Sequence, residues 1–163
     1  MTPKSQQLQI RVTPAQKSAM RRLAREADLD VSAYVLSRVL PADEERFAAI
    51  LRVLHVSGDE RFALAELNDF LTALAPARFA TAVGRAKLDR LSLLLQNYVA
   101  AMVEQAAGQK EVAPPVWTRD VAPLAEPYFA TSLSSLRLYL LQASPVPFKR
   151  RNLFVDAAVG SRV

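Results

Sequence analysis

Between residues 8 and 20, in LQIRVTPAQKSAM, the apolar residues stop recurring every second position and begin recurring every third or fourth. Leu8, Ile10 and Val12 alternate with Gln9, Arg11 and Thr13, the rhythm of a half-buried strand. Past Pro14 the apolar residues Met20, Leu23, Ala24 and Ala27 form one helical stripe. A lone strand leaves its backbone N–H and C=O groups without partners, and a strand with two helices, roughly 40 residues in all, is too small to bury a core by itself. A second copy of the chain solves both problems. Two such strands pair antiparallel across a twofold axis, and four helices enclose Leu8, Ile10 and Val12. The opposite face of that ribbon carries Gln9, Arg11 and Thr13 in duplicate, and a two-stranded ribbon fits the major groove of B-DNA.

The flanking residues fit the same plan. Thr13 is placed to cap the first helix, Pro14 suits its first position, and Gln16 completes a capping-box pattern. The turn falls in ADLDV, with Asp28 or Asp30 taking it. Ser32 is expected to cap a second helix, AYVLSRVL, with Val31 stapled onto Leu36, and Pro41 marks the break. The stretch LQIRVTPAQKSAMRRLAREADLDVSAYVLSRVL resembles the ribbon-helix-helix DNA-binding fold, especially as found in bacterial type II antitoxins. Where that family often has Gly at the turn, this chain has Asp28, a residue that visits left-handed backbone more readily than most.

The resemblance implies roles for particular residues. Gln9, Arg11 and Thr13 would contact base edges, Arg suiting guanine and Gln adenine, with Thr13 also engaged in capping. The amides of Ser32 and Ala33 would hold a phosphate at the opening of the second helix. Lys4, in the basic arm 1–7, would add nonspecific affinity.

Charge is distributed in keeping with this. Residues 1–40 carry seven Lys/Arg against three Asp/Glu, residues 41–113 eight against ten, and residues 114–163 six against three. Basic ends suit a polyanion, because cations that neutralise phosphates release condensed counterions. There is no cysteine, hence no disulfide framework, thiolate metal site or thiol nucleophile. No apolar run approaches the roughly 18 residues of a membrane span, and the first residues lack a signal-peptide apolar region. The expectation is a cytoplasmic protein without a membrane or cofactor partner.

The chain reads as mainly α, in three parts. After the unit at 1–41 comes a helical domain at 42–110. In it DEERFAAILRVLHV turns Phe47, Ile50, Leu51 and Leu54 inward, and DERFALAELNDFLTAL does so with Ala63, Leu67, Phe70, Leu71 and Leu74. A short piece near 77–84 precedes a long helix expected at about 85–107, with Leu88, Leu91, Leu95, Tyr98, Val99, Met102 and Val103 inward and Gly108 as its stop. His55 stands alone near a helix end and reads as solvated or capping. From residue 111 to 163 the chain is rich in proline and aromatic residues; a short helix, SLRLYLLQA, follows a Ser134 cap, and NLFV suits a strand. Trp117, Tyr128, Phe129, Phe148 and Phe154, bordered by Lys149, Arg150 and Arg151, have the composition of an interface. They wrap the chain's own middle, bind a partner, or do both. The pattern PPVW with PL and SPVPFKRRNLFV is also similar to C-terminal segments of antitoxins paired with nucleotidyltransferase-type toxins.

Two functions compete. The first is a type II antitoxin, a homodimeric repressor that binds operator DNA and neutralises a cognate toxin through its C-terminal region. The second is a ribbon-helix-helix transcriptional regulator, or a plasmid partition or relaxosome protein, with no toxin. With one His, no Cys and no phosphate-cradling glycine loop, an enzyme is disfavoured and no catalytic or metal-binding residue is assigned.

Overall fold

The computed structural model describes residues 9–39, 42–56 and 60–156. The chain is mainly helical and divides into two compact units, residues 1–41 and 42–163.

The first unit holds helices α1 (Pro14–Glu26) and α2 (Val31–Val39). α1 opens on a complete capping box: the Thr13 hydroxyl accepts the Gln16 N–H at 3.3 Å, and the Thr13 N–H donates to Gln16 Oε1 at 2.9 Å. It closes on Asp28 in left-handed backbone at φ 53°. There the Leu29 N–H reaches the Ala24 carbonyl and the Asp28 N–H the Arg25 carbonyl, the paired bonds of a Schellman turn. α2 begins earlier than expected. Asp30, not Ser32, is its cap, with Oδ1 accepting the Ala33 N–H at 2.8 Å. Ser32 lies within the first turn. The reason is simple: Asp28 makes the turn, which leaves the second aspartate free to cap.

This unit has almost no core. Among its described residues only Ala24 is buried, whereas Ile10, Val12, Leu23, Leu29, Val31, Leu36 and Val39 are exposed in the single chain. Residues 9–13 form no strand within one chain, and Leu8 lies outside the described residues.

The second unit is built on helices α3 (Asp43–Val56), α4 (Glu60–Ala73), α5 (Pro76–Val83) and α6 (Leu93–Gln109). Three acids in the first turn of α3 favour the positive end of its dipole. Its stripe of Phe47, Ile50, Leu51 and Leu54 is buried, as are Ala63, Leu67, Phe70, Leu71 and Leu74 at and just beyond α4, with Phe47 stacked on Phe70 at 6.1 Å. α3 packs on α4 and α5, and α6 packs on α4. The helix expected from residue 85 starts eight residues later. Residues 85–92 are irregular, and Ser92 Oγ accepts the Leu95 N–H at 3.3 Å to cap α6. Leu88 and Leu91 still face the core, but from a turn in which the Leu91 N–H donates to the Leu88 carbonyl. Nor does Gly108 stop α6. The helix runs through Gln109 and ends on Glu111, left-handed at φ 56°.

The C-terminal segment wraps this core. It contains α7 (Trp117–Asp120), β1 (Tyr128–Phe129), a 3-10 turn (Ser134–Leu136), α8 (Arg137–Ala143), α9 (Val146–Lys149) and β2 (Leu153–Phe154). Ser134 is the first residue of the 3-10 turn and makes no capping bond. β1 and β2 pair in parallel, Tyr128 with Leu153 and Phe129 with Phe154. Parallel neighbours require a crossover, here supplied by the 3-10 turn, α8 and α9. Ser144 pins the crossover: its hydroxyl oxygen lies 2.6 Å from the Leu140 carbonyl and 2.8 Å from that of Val155, and it accepts the Val155 N–H.

Beneath the segment lies a buried polar network. The Arg151 guanidinium donates to Glu104 Oε1 at 2.7 Å, to the Thr118 carbonyl at 2.6 Å, to the Val121 carbonyl at 3.3 Å and to Asn97 Oδ1 at 3.4 Å. The fully buried Asn97 returns its amide to the carbonyls of Leu93 and Ala122. One cation thus holds α6, α7 and the loop after α7 together. Removing one partner of such a pair strands the other charge in low dielectric. Arg151→Ala is expected to lower unfolding free energy by about 3–5 kcal/mol in urea titration; a loss below about 1 kcal/mol would show that water reaches Glu104 freely. Glu111→Gly is expected to raise stability by about 1 kcal/mol, since glycine adopts left-handed backbone without the Cβ clash. A rise in the urea midpoint at unchanged slope checks it.

Candidate nucleic-acid and partner interfaces

In the first unit Gln9, Arg11 and Thr13 are all exposed. Thr13 has its hydroxyl oxygen engaged by Gln16, so Gln9 and Arg11 are the side chains left open for contact. α1 adds Lys17, Arg21, Arg22 and Arg25, all exposed, with one weak pair between Arg22 and Glu26 at 3.8 Å. At 62–72% side-chain exposure that pair holds little energy and leaves the helix basic. Arg38 lies over the Tyr34 ring at 5.4 Å. The opening of α2 differs from the expected phosphate site. The Ala33 amide is already held by the Asp30 carboxylate, whose charge opposes an anion at the same helix end. Lys4 lies outside the described residues.

The proposed partner-binding residues of the C-terminal segment separate into two groups. Phe148 is fully buried and Phe154 and Arg151 nearly so, and all three work inside their own unit. This corrects their assignment to a partner. Phe148 meets Tyr98 edge-on at 6.4 Å, Phe154 stacks on Phe129 at 4.9 Å, and Arg151 is the network described above. Trp117 is half-buried against the core, and its indole N–H donates to the Val83 carbonyl at 2.8 Å. Of the choice between wrapping its own middle and binding a partner, these aromatics serve the first. The second group is still accessible: Tyr128, exposed and edge-on to Tyr98 at 6.1 Å, Arg150, exposed, and Lys149, half-buried, whose Nζ donates to the Gln142 carbonyl. Burial, then the neighbouring Tyr128 and Glu60, push the Tyr98 hydroxyl well above its ordinary pKa, so Tyr98 stays neutral between the two rings it meets.

Residues that periodicity did not single out are more exposed. Leu133, Leu136, Leu138, Tyr139 and Leu141 all face solvent on and just before α8, Leu138 at 67%. The signal was present in RLYLLQA, where five of seven residues are apolar. Such a helix is ordinarily buried, yet only Leu140 of α8 is.

One open groove of about 1290 Å³ lies between α3 and residues 85–91. It is lined by the cations Arg52, Arg85, Lys87 and Arg90 and by the acids Glu44, Glu45 and Asp89, with His55 on its wall. Its charges nearly cancel. Among the described residues no group of three or more His, Asp and Glu could hold a metal ion, and no helix is long and apolar enough to cross a membrane. No protein-family model, curated protein or solved structure matches this chain.

The cap assignment has a direct check. Asp30→Ala is expected to cost about 1 kcal/mol at fixed protein concentration, whereas Ser32→Ala changes stability by no more than about 0.5 kcal/mol. The reverse order in a urea titration would return the cap to Ser32.

Proposed function

We propose that the chain is a homodimeric DNA-binding regulator of the ribbon-helix-helix kind, acting as the antitoxin of a type II toxin–antitoxin pair. In this reading two copies pair their residues 8–13 into one ribbon. Gln9 and Arg11 read base edges in the major groove, and the basic face of α1 with the arm at Lys4 adds affinity for phosphates. The observation that carries the reading is the coreless first unit. Seven apolar side chains from Ile10 to Val39 are exposed in a unit whose one buried apolar residue, among those described, is Ala24. At about 25 cal/mol per Å² of apolar surface, leaving that face in water forfeits most of the driving force for folding. A second copy is the occupant that also gives the strand a ladder partner. The left-handed Asp28 and the capping box at Thr13 further support it, because they give a short strand-to-helix junction and a tight turn between α1 and α2.

A reading without a toxin, as a partition or relaxosome DNA-binding protein, shares the dimer and the ribbon. The outward apolar helix α8 favours the antitoxin, because it calls for a protein partner beyond the twofold copy.

The test is binding to the DNA upstream of the protein's own gene. Arg11→Ala is expected to weaken operator binding by about 1–3 kcal/mol and to relax specificity at one base pair of each half-site, measured by gel shift over a salt series. Unchanged affinity at every salt concentration would remove the ribbon from the interface. Sedimentation equilibrium is expected to give a dimer at micromolar protein, and Ile10→Glu a monomer. A wild-type monomer there overturns the reading.

A further inference from the structure

We infer that residues 133–141 and the cations beside them form the docking surface for the partner protein, and that the partner presents an apolar patch rimmed by carboxylates. This rests on the reading of the chain as a regulator that neutralises a second protein.

The inference starts from α8. Leu140 turns into the core, and Ser144 locks the end of the helix to Val155, so the helix is fixed in rotation. What it then shows to solvent is apolar. Leu138 and Leu141 sit three apart and form one exposed row; Leu133, Leu136 and Tyr139 are spaced by three along a second. A rigid apolar face of this kind, on an element that has already buried what it needs for folding, marks an interaction site.

Charge selects the occupant. No Asp or Glu occurs between Glu126 and Asp156. The cations there are Arg137, exposed and lying over the Phe129 ring at 5.2 Å, Lys149, and the exposed Arg150; Arg151 is consumed by Glu104. An apolar centre flanked by Arg137, Lys149 and Arg150 disfavours a second copy of itself across a twofold axis and favours a carboxylate-rimmed surface. A membrane is the other polyanion with an apolar interior. However, α8 spans only Arg137–Ala143, less than the longer amphipathic helix by which proteins usually lie in a bilayer interface, and its two apolar rows extend around much of the helix instead of forming one stripe. A protein groove that receives a short helix fits better.

Removal of residues 111–163 is no test, because it would take Phe148, Leu153 and Val155 out of the core. Point changes on the exposed rows are suitable. The full chain is coexpressed with the tagged product of the adjacent gene, and the complex is measured by pull-down and by isothermal titration. Leu138→Glu with Leu141→Glu is expected to weaken the complex by about a hundredfold, and Arg137→Glu with Arg150→Glu by about tenfold with a flatter salt dependence. Both variants are expected to keep the wild-type urea midpoint and operator gel shift, which shows that folding and dimerisation are intact. Four results overturn the inference. A complex unaffected by either variant places the partner elsewhere while the antitoxin reading stands. Binding of the wild-type chain, and not the Leu138→Glu variant, to vesicles of phosphatidylglycerol and phosphatidylcholine assigns the surface to lipid. A change confined to the self-association state assigns it to a second copy. No complex with the adjacent product at all removes the antitoxin reading, and the docking surface with it.

Discussion

A buried guanidinium decides how the larger unit closes. Arg151 enters from a segment with little regular structure, between α9 and β2, and places four of its hydrogen bonds on Asn97, Glu104, Thr118 and Val121. The carbonyls of Thr118 and Val121 are backbone groups of a proline-rich stretch that no helix or sheet would otherwise satisfy. The arginine supplies their partners and fixes α7 against α6. The burial of Phe148, Leu153 and Val155 follows, because the chain on either side of Arg151 is then held against the core. Such a network makes the arrangement specific as much as stable: a wrong register strands a charge.

The two units solve the burial problem in opposite ways. The described residues of 42–156 close upon themselves, with Phe47, Phe79, Phe148 and Leu67 fully buried. Among the described residues of 1–41, seven apolar side chains from Ile10 to Val39 stay exposed in a single chain. In the proposed dimer, folding of the smaller unit and assembly are one process, so its stability depends on concentration. DNA affinity then depends on concentration too, since the ribbon exists only when two chains meet. On the proposed reading, the protein senses its own abundance without any ligand.

The C-terminal segment has a divided role. Its inner residues complete the core, and its outer residues, from Leu133 to Leu141, are free to meet something else. That division explains why a wrapping element retains an apolar exterior. Most aromatics of the segment make intramolecular contacts, the stacking of Phe129 on Phe154 and the edge contacts of Tyr128 and Phe148 with Tyr98 among them. The proposed partner surface therefore falls to exposed leucines and Tyr139, on and just before a short helix held rigid from behind.

Local chemistry was legible in the sequence. The apolar stripes of α3 and α4, the Thr13 capping box, the turn at Asp28 and the strand in NLFV follow from periodicity and side-chain geometry, which act over a few residues. The start of α6 did not. Leu88, Leu91 and Leu95 keep helical spacing, yet the first two reach the core from a turn, and the Ser92 hydroxyl sets the true beginning. For Asp30 against Ser32, two competent caps stood two residues apart, and the left-handed Asp28 decided between them. The roles of Phe148, Phe154 and Arg151 were hidden for another reason. An aromatic or an arginine in an irregular segment looks the same whether it faces inward or outward, because periodicity carries no sign there. The sequence by itself determined most of the longer helices, the capping box at Thr13, and that the first unit is too small to bury a core alone. Only the tertiary structure decided which face of the C-terminal segment is buried, since that depends on Glu104 and Asn97, some fifty residues away along the chain, offering Arg151 a place to discharge its hydrogen bonds.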